Sequence, residues 1–209
     1  MVKTVIFDMD GVIYSSEPLH DRARAMLLDQ YGIPKTIIDV AGKSHKDIWD
    51  PLIQEYNLPD SQPIIERKQH ELVLEMVKRE NVPMCDGIKE VFDELEKKRI
   101  QIALASSSAK WLVNHVLEHY DIKKRFLCIL SGDDVNRKKP NPEIYLRALK
   151  ICECLPQEAL AIEDSDSGQT AAIEARIKCI GYRNPTSGNQ KLNKGIACID
   201  NLNEILEYI

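Results

Sequence analysis

The chain has 209 residues, 44% of them hydrophobic, which is enough to bury a core in one domain or in one domain plus an insertion. Its 28 basic and 33 acidic residues leave a formal charge of −5, and no basic stripe with interleaved aromatics is visible, so nucleic acid is not an expected partner. No stretch approaches the ~20 apolar residues of a spanning helix, and the apolar run before Asp8 is too short for a signal peptide; a cytoplasmic protein with no membrane partner is expected.

Lys3 to Phe7 predicts a first strand, delivering Asp8 and Asp10 at its carboxyl end before Gly11 turns the chain away. Residues two apart in a strand share a side, and ligands of open α/β sheets bind beyond the carboxyl ends of the strands. Such a pair suits phosphoryl transfer: one carboxylate attacks phosphorus, while the other moves a proton on and off the alcohol oxygen. The bland account is a solvated or helix-capping acidic turn.

From about 16 to 82 the chain reads as helices alone. Leu19, Ala23, Met26, Leu27 and Tyr31 share one face of a helix ended by Gly32 and Pro34; Ile48, Leu52, Ile53 and Tyr56 mark a second; Ile64, Ile65, Leu72, Leu74, Met76 and Val77 mark a third. An all-helical block after the first strand predicts a second, smaller domain.

Alternation of strand and helix then resumes. Strands are expected at Gln101 to Ala105, Leu127 to Leu130, Leu160 to Ile162, Lys178 to Tyr182 and Ile196 to Ile199, with helices starting near Gly87, Ala109, Pro142 and Gly168. The second strand runs into Ser106-Ser107-Ser108, which either N-cap the next helix or cradle a phosphate with its free N–H groups. Arg137-Lys138-Lys139-Pro140-Asn141-Pro142 places Pro142 at a first helical position capped by Asn141. The lysines then lie at the sheet edge, where one is placed to neutralise a transferring phosphoryl group. The Leu160 strand ends in Glu163 and Asp164, oxygen ligands of the kind magnesium takes. Loop 184–189 is sufficiently explained by turn chemistry. The six cysteines include no CxxC, and Cys128, Cys152, Cys154, Cys179 and Cys198 read as small core thiols in a reduced compartment. His115 and His119 have a zinc-compatible i, i+4 spacing but no third ligand in the sequence.

These four elements, Asp8 with Asp10, Ser106, Lys139, and Glu163 with Asp164, stand in the order and spacing of the haloacid dehalogenase superfamily. Over nearly its whole length the chain resembles the branch that contains β-phosphoglucomutase and small sugar phosphatases. The resemblance implies an α/β fold, with a doubly wound, Rossmann-like parallel core from residues 1–15 and 83–209 and a small helical cap at 16–82. It implies Asp8 as nucleophile, Asp10 as general acid/base, and Ser106 and Lys139 on the phosphoryl oxygens, with Ser107 and Ser108 completing the phosphate loop. Mg²⁺ would sit on Asp8, Asp164 and the main-chain carbonyl of Asp10, with Glu163 in support.

In the cap, His20 and Lys68 match positions that help place the acid/base aspartate, and Ser15 stands where an aspartate is frequent. Residues 41–45 resemble a glycine-containing cap loop in which His45 replaces an arginine for a distal phosphate, with Lys43 or Lys46 as substitutes. Gln169 and Arg176 replace an apolar residue and a glycine, which concerns helix packing. The expected function is Mg²⁺-dependent hydrolysis of a small phosphate ester, of the sugar phosphate class, through an aspartyl phosphate. The alternatives are a hexose-phosphate mutase and, in a different class, a non-catalytic binding or regulatory protein on the same fold. Oligomeric state is left open, a monomer being compatible.

Overall fold

In the computed structural model, which describes residues 1–34 and 45–209, strand β1 (Thr4–Phe7) is buried along its whole length. That burial follows from its position at the centre of a six-stranded sheet. β2 (Gln101–Ala105) pairs on one side and β4 (Ala159–Glu163) on the other. β3 (Cys128–Leu130) lies beyond β2, and β5 (Lys178–Tyr182) and β6 (Ala197–Ile199) lie beyond β4, giving the order β3-β2-β1-β4-β5-β6 with every pair parallel. Near-continuous apolar strands are what a parallel sheet covered on both faces requires.

The register sets up the site. Phe7 stands opposite Leu104 of β2 and Ile162 of β4, so Asp8, Ser106, Glu163 and Asp164 all emerge along one edge of the sheet.

Helices α1 (Glu17–Gln30), α2 (His45–Glu55) and α3 (Gln62–Arg79) precede β2, as does α4 (Ile88–Lys97); α5 (Lys110–His119), α6 (Glu143–Ile151) and α7 (Asp166–Glu174) alternate with the later strands. On one face of the sheet, Ile144, Tyr145 and Ala148 of α6 and Ala171 and Ala172 of α7 share a buried cluster with Ile6, Ala103, Ala105 and Ala161. On the other, Phe7 meets Phe92 of α4 edge-on with centroids 5.0 Å apart. The chain divides into two compact units, residues 1–17 with 82–209, and residues 18–81. The smaller unit has its own core, in which Trp49, Leu27, Leu52 and Ile65 are buried together.

Several local expectations are corrected. Met26 and Ile64 are half exposed, because the helical stripes centre on Leu27 with Leu28 and on Ile65. α6 begins at Glu143, one residue after Pro142, although the Asn141 side chain does accept from the Glu143 N–H at 3.1 Å. α7 begins at Asp166, with Ser165 accepting from the Gly168 N–H. No serine caps α5: the Asp133 carboxylate, arriving from the turn after β3, accepts from the Lys110 N–H at 2.7 Å. All six cysteines are free thiols, but Cys198, on edge strand β6, is exposed rather than a core residue.

Gln169 is fully buried, its Oε1 accepting from the Lys194 N–H at 3.2 Å. Arg176 closes α7 at φ +62°, a left-handed conformation that costs an L-residue with a side chain. Arg176→Gly is therefore expected to stabilise the protein by about 0.5–1 kcal/mol, part of the relief being offset by the added freedom of glycine in the unfolded chain. A urea melt showing an unchanged or lower midpoint would count against this.

Candidate active site

The carboxyl edge of the sheet holds a cleft of about 200 Å³, lined by Asp8, Asp10, Ser107, Lys139, Asp164 and Ser187 among others. Lys139 is its centre. The three N–H donors of an ammonium are all engaged, on Asp8 Oδ1 at 2.6 Å, Glu163 Oε1 at 2.6 Å and the Ala105 carbonyl at 2.7 Å. The side chain crosses from the loop before α6 to the ends of β1, β2 and β4.

Glu163 is fully buried and also accepts from the Tyr145 hydroxyl. Its carboxylate fills the space a side chain at residue 168 would take: a Cβ on Gly168 would lie 1.8 Å from Glu163 Oε2. Asp164 is close to Gly11 in the same way. Gly11 adopts φ +74°, and a Cβ there would lie 1.8 Å from Asp164 Oδ2, so the first loop can approach the fourth strand only without a side chain.

Negative charge dominates. One oxygen from each of Asp8, Glu163 and Asp164 lies within 4.8 Å of the others, and Asp10 joins them in the cleft, while Lys139 contributes a single positive charge. Burial raises Asp8 well above the usual carboxylate range, against the opposing pull of Lys139. Burial likewise pushes Asp164 up to about 7, with a hydrogen bond from Ser187 opposing. For Lys139 burial alone would lower the value, but Asp8 and Glu163 outweigh it and hold the ammonium charged. Buried carboxylates left short of positive charge, offering hard oxygen donors, fit a divalent cation of the magnesium type held by Asp8 and Asp164 with Glu163 beside it.

The other expected residues are placed as follows. Asp10 Oδ2 accepts from Ser108 Oγ at 2.7 Å. Ser106 is fully buried, its Oγ accepting from the Ser108 N–H at 3.0 Å, and it is Ser107 that lines the cleft. In the smaller unit, Lys68 is committed to Asp60 at 2.5 Å and to the Tyr31 hydroxyl at 3.4 Å. Lys68 first, then Tyr31, holds Asp60 below its ordinary value. His20 lies against Gln69, with 3.4 Å between Nδ1 and Nε2, and its ring meets that of His70. Lys46 is exposed on α2. Lys43 and the side chain of His45 lie outside the described residues.

Three contributors escaped the sequence reading. Tyr145 sits in the apolar stripe of α6, and a tyrosine there signals a hydroxyl that must find a buried partner. Loop 184–189 is more than a turn: Ser187 Oγ donates to Asp164 Oδ2, and Asn184 Nδ2 donates to the Gly11 carbonyl at 2.8 Å and to Ser15 Oγ at 3.1 Å. Tyr14, fully buried, donates to Asp10 Oδ1 at 3.1 Å.

The pattern of haloacid dehalogenase-like hydrolases matches residues 5–182. The chain belongs to that family. Along its whole length this hydrolase is 31% identical to the phosphorylated carbohydrates phosphatase of Thermotoga maritima, covering 98% of that protein. It is 28% identical to hexitol phosphatase B of Escherichia coli, over 90% of this chain and 86% of the relative. It also superposes on the solved β-phosphoglucomutase of Clostridium difficile with a TM-score of 0.80 and 26% identity, covering 100% of this chain and 95% of that one. Among the described residues no helix is long and apolar enough to cross a membrane.

Proposed function

We propose that this hydrolase removes phosphate from a small phosphorylated sugar or sugar alcohol through an aspartyl phosphate on Asp8. The observation that carries the chemistry is the meeting of Asp8, Asp10, Lys139 and Asp164 in one cleft at the sheet edge. The relatives named above supply the substrate class.

In the first step an Asp8 oxygen forms a bond to phosphorus as the bond to the alcohol oxygen breaks, and Asp10 gives that oxygen its proton. In the second, Asp10 takes a proton from water as water's oxygen bonds to phosphorus and the Asp8 bond breaks. Lys139, 2.6 Å from Asp8, neutralises negative charge beside the reacting oxygen throughout, a preorganised cation that is itself buried. Mg²⁺, held by Asp8 and Asp164 with Glu163 in support, would supply further positive charge against the phosphoryl oxygens. The unit at residues 18–81 is assigned as the cap that selects the substrate.

A mutase is the second reading, favoured by the likeness to β-phosphoglucomutase. One experiment separates the two. Hexose, pentose and hexitol phosphates are screened for phosphate release with and without Mg²⁺, and β-glucose 1-phosphate is incubated with its 1,6-bisphosphate primer. Phosphate release from several substrates with little isomerisation is the expected result; primer-dependent isomerisation outpacing hydrolysis would establish the mutase.

The raised carboxyls add a pH signature. With Asp164 at about 7 in the fold and about 3.9 unfolded, the folded state holds the proton more tightly. This group's stabilising contribution is full below pH ~3.9 and is lost as pH rises through about 7. Asp8 shifts in the same direction. Metal binding displaces those protons, so Mg²⁺ should raise the Tm more at pH 8 than at pH 5.5. Calorimetric scans showing equal shifts at the two pH values would contradict it.

A further inference from the structure

Tyr14 takes no part in the bond-making above, yet it is fixed from several sides. Its carbonyl accepts from the Gly11 N–H at 2.9 Å, and its backbone bridges to Met84. Its ring lies 6.1 Å from that of Tyr120, which donates in turn to the Val82 carbonyl at 3.0 Å. From that anchored position the phenol donates to Asp10 Oδ1 at 3.1 Å, while Ser108 Oγ, arriving from the end of β2, donates to Oδ2 at 2.7 Å. Ser108 is itself tethered, its N–H on Ser106 Oγ.

Each oxygen of Asp10 therefore carries a neutral donor delivered from a different strand end. A carboxylate can turn about its Cβ–Cγ bond, and donors held on both of its oxygens fix that rotation. A phenol in water ionises only at about pH 10, so the Tyr14 hydroxyl is a donor at neutral pH.

We propose that Tyr14 and Ser108 are positioning residues that hold the Asp10 carboxylate in the orientation from which it gives a proton to the leaving alcohol and later takes one from water. Neither hydroxyl gives up its own proton in either step. The inference rests on the phosphatase reading, with Asp10 as the proton carrier. A small misplacement of a catalytic group costs on the order of 10²-fold in rate, which is why two fixed donors on one carboxylate matter.

The test uses leaving groups of different need. Rapid-quench measurement gives the rate of Asp8 phosphorylation from a hexose phosphate, whose alkoxide requires a proton, and from 4-nitrophenyl phosphate, whose leaving group does not. In Tyr14→Phe the ratio of the hexose rate to the aryl rate is expected to fall about 10-fold or more, but by less than the roughly 10²–10⁴-fold lost when general acid–base catalysis is removed altogether. KM for the hexose phosphate should stay within about 3-fold of wild type, as for an interaction used in the transition state. Ser108→Ala should lower the same ratio, and it supplies a second reading if Tyr14→Phe does not fold. Equal slowing with both leaving groups, or an unchanged ratio in both variants, overturns the positioning role while leaving the phosphatase assignment intact. A wild-type protein that releases phosphate from neither substrate removes both.

Discussion

Replacing Asp8 with Asn is expected to lower phosphate release by about 10⁴-fold or more, the scale on which loss of a covalent nucleophile acts. The amide has nearly the same shape but is a poor nucleophile and a weak ligand for a hard cation. Its stability signature runs the other way. Asp8 is a buried carboxyl whose surroundings disfavour its ionised form and hold it above its ordinary range, and an amide has no charge to bury. In EDTA at pH 8 the Asn variant should melt no lower than wild type, and the gain in Tm on adding Mg²⁺ should shrink. Phosphate release near the wild-type rate would remove Asp8 from the nucleophile's role; a collapsed Tm would mean the variant reports folding rather than chemistry.

Lys139→Ala is expected to damage both activity and stability. Asp8 and Glu163 each lie 2.6 Å from the ammonium, and Glu163 is fully buried. Removing one partner from such an arrangement strands the others, at a cost of about 3–5 kcal/mol. Turnover should fall roughly 10²–10³-fold, the loss seen when one preorganised charge-stabilising group is removed. The destabilisation should be greater at pH 8 than at pH 5, because Asp8, which burial already holds above its ordinary range, takes a proton more readily at low pH. Urea melts at the two pH values, alongside turnover with saturating Mg²⁺, check both parts; a variant as stable as wild type at pH 8 would show that the ion pairs contribute little.

What the sequence disclosed is what lies along the chain. Apolar runs with the right period marked every strand of the sheet, and carboxylates, hydroxyls or lysine just past a run were bound to gather at its carboxyl edge once the strands proved parallel. Contacts between distant segments were not legible in the same way. The hydrogen bond from Tyr145 to Glu163, and that from Ser187 to Asp164, span 18 and 23 residues and depend on how α6 and loop 184–189 return to the sheet. Of the two readings open for the three serines, the N-cap of α5 is ruled out only by a distant residue, Asp133, which reaches the Lys110 N–H from a different turn, while Ser106 and Ser108 bond to each other and to Asp10. Lys68 shows the converse. Its charge is visible in the sequence, but its attachment to Asp60, eight residues away, is set by the turn between α2 and α3.

The placement of β1 has a consequence for how the protein is made. β1 leaves the ribosome before both of the strands that flank it, for Thr4 pairs with Gln101 on one side and Ala159 on the other. Until β4 has been synthesised, more than 150 residues after β1, the apolar segment bearing Asp8 lacks one of its flanking strands. Pairings so remote in sequence slow folding and keep strand edges uncovered meanwhile. Nascent chains halted before β4 should therefore be sticky, protease-sensitive and without catalytic function, whereas the helical segment at residues 18–81 emerges early with its hydrophobic partners close at hand.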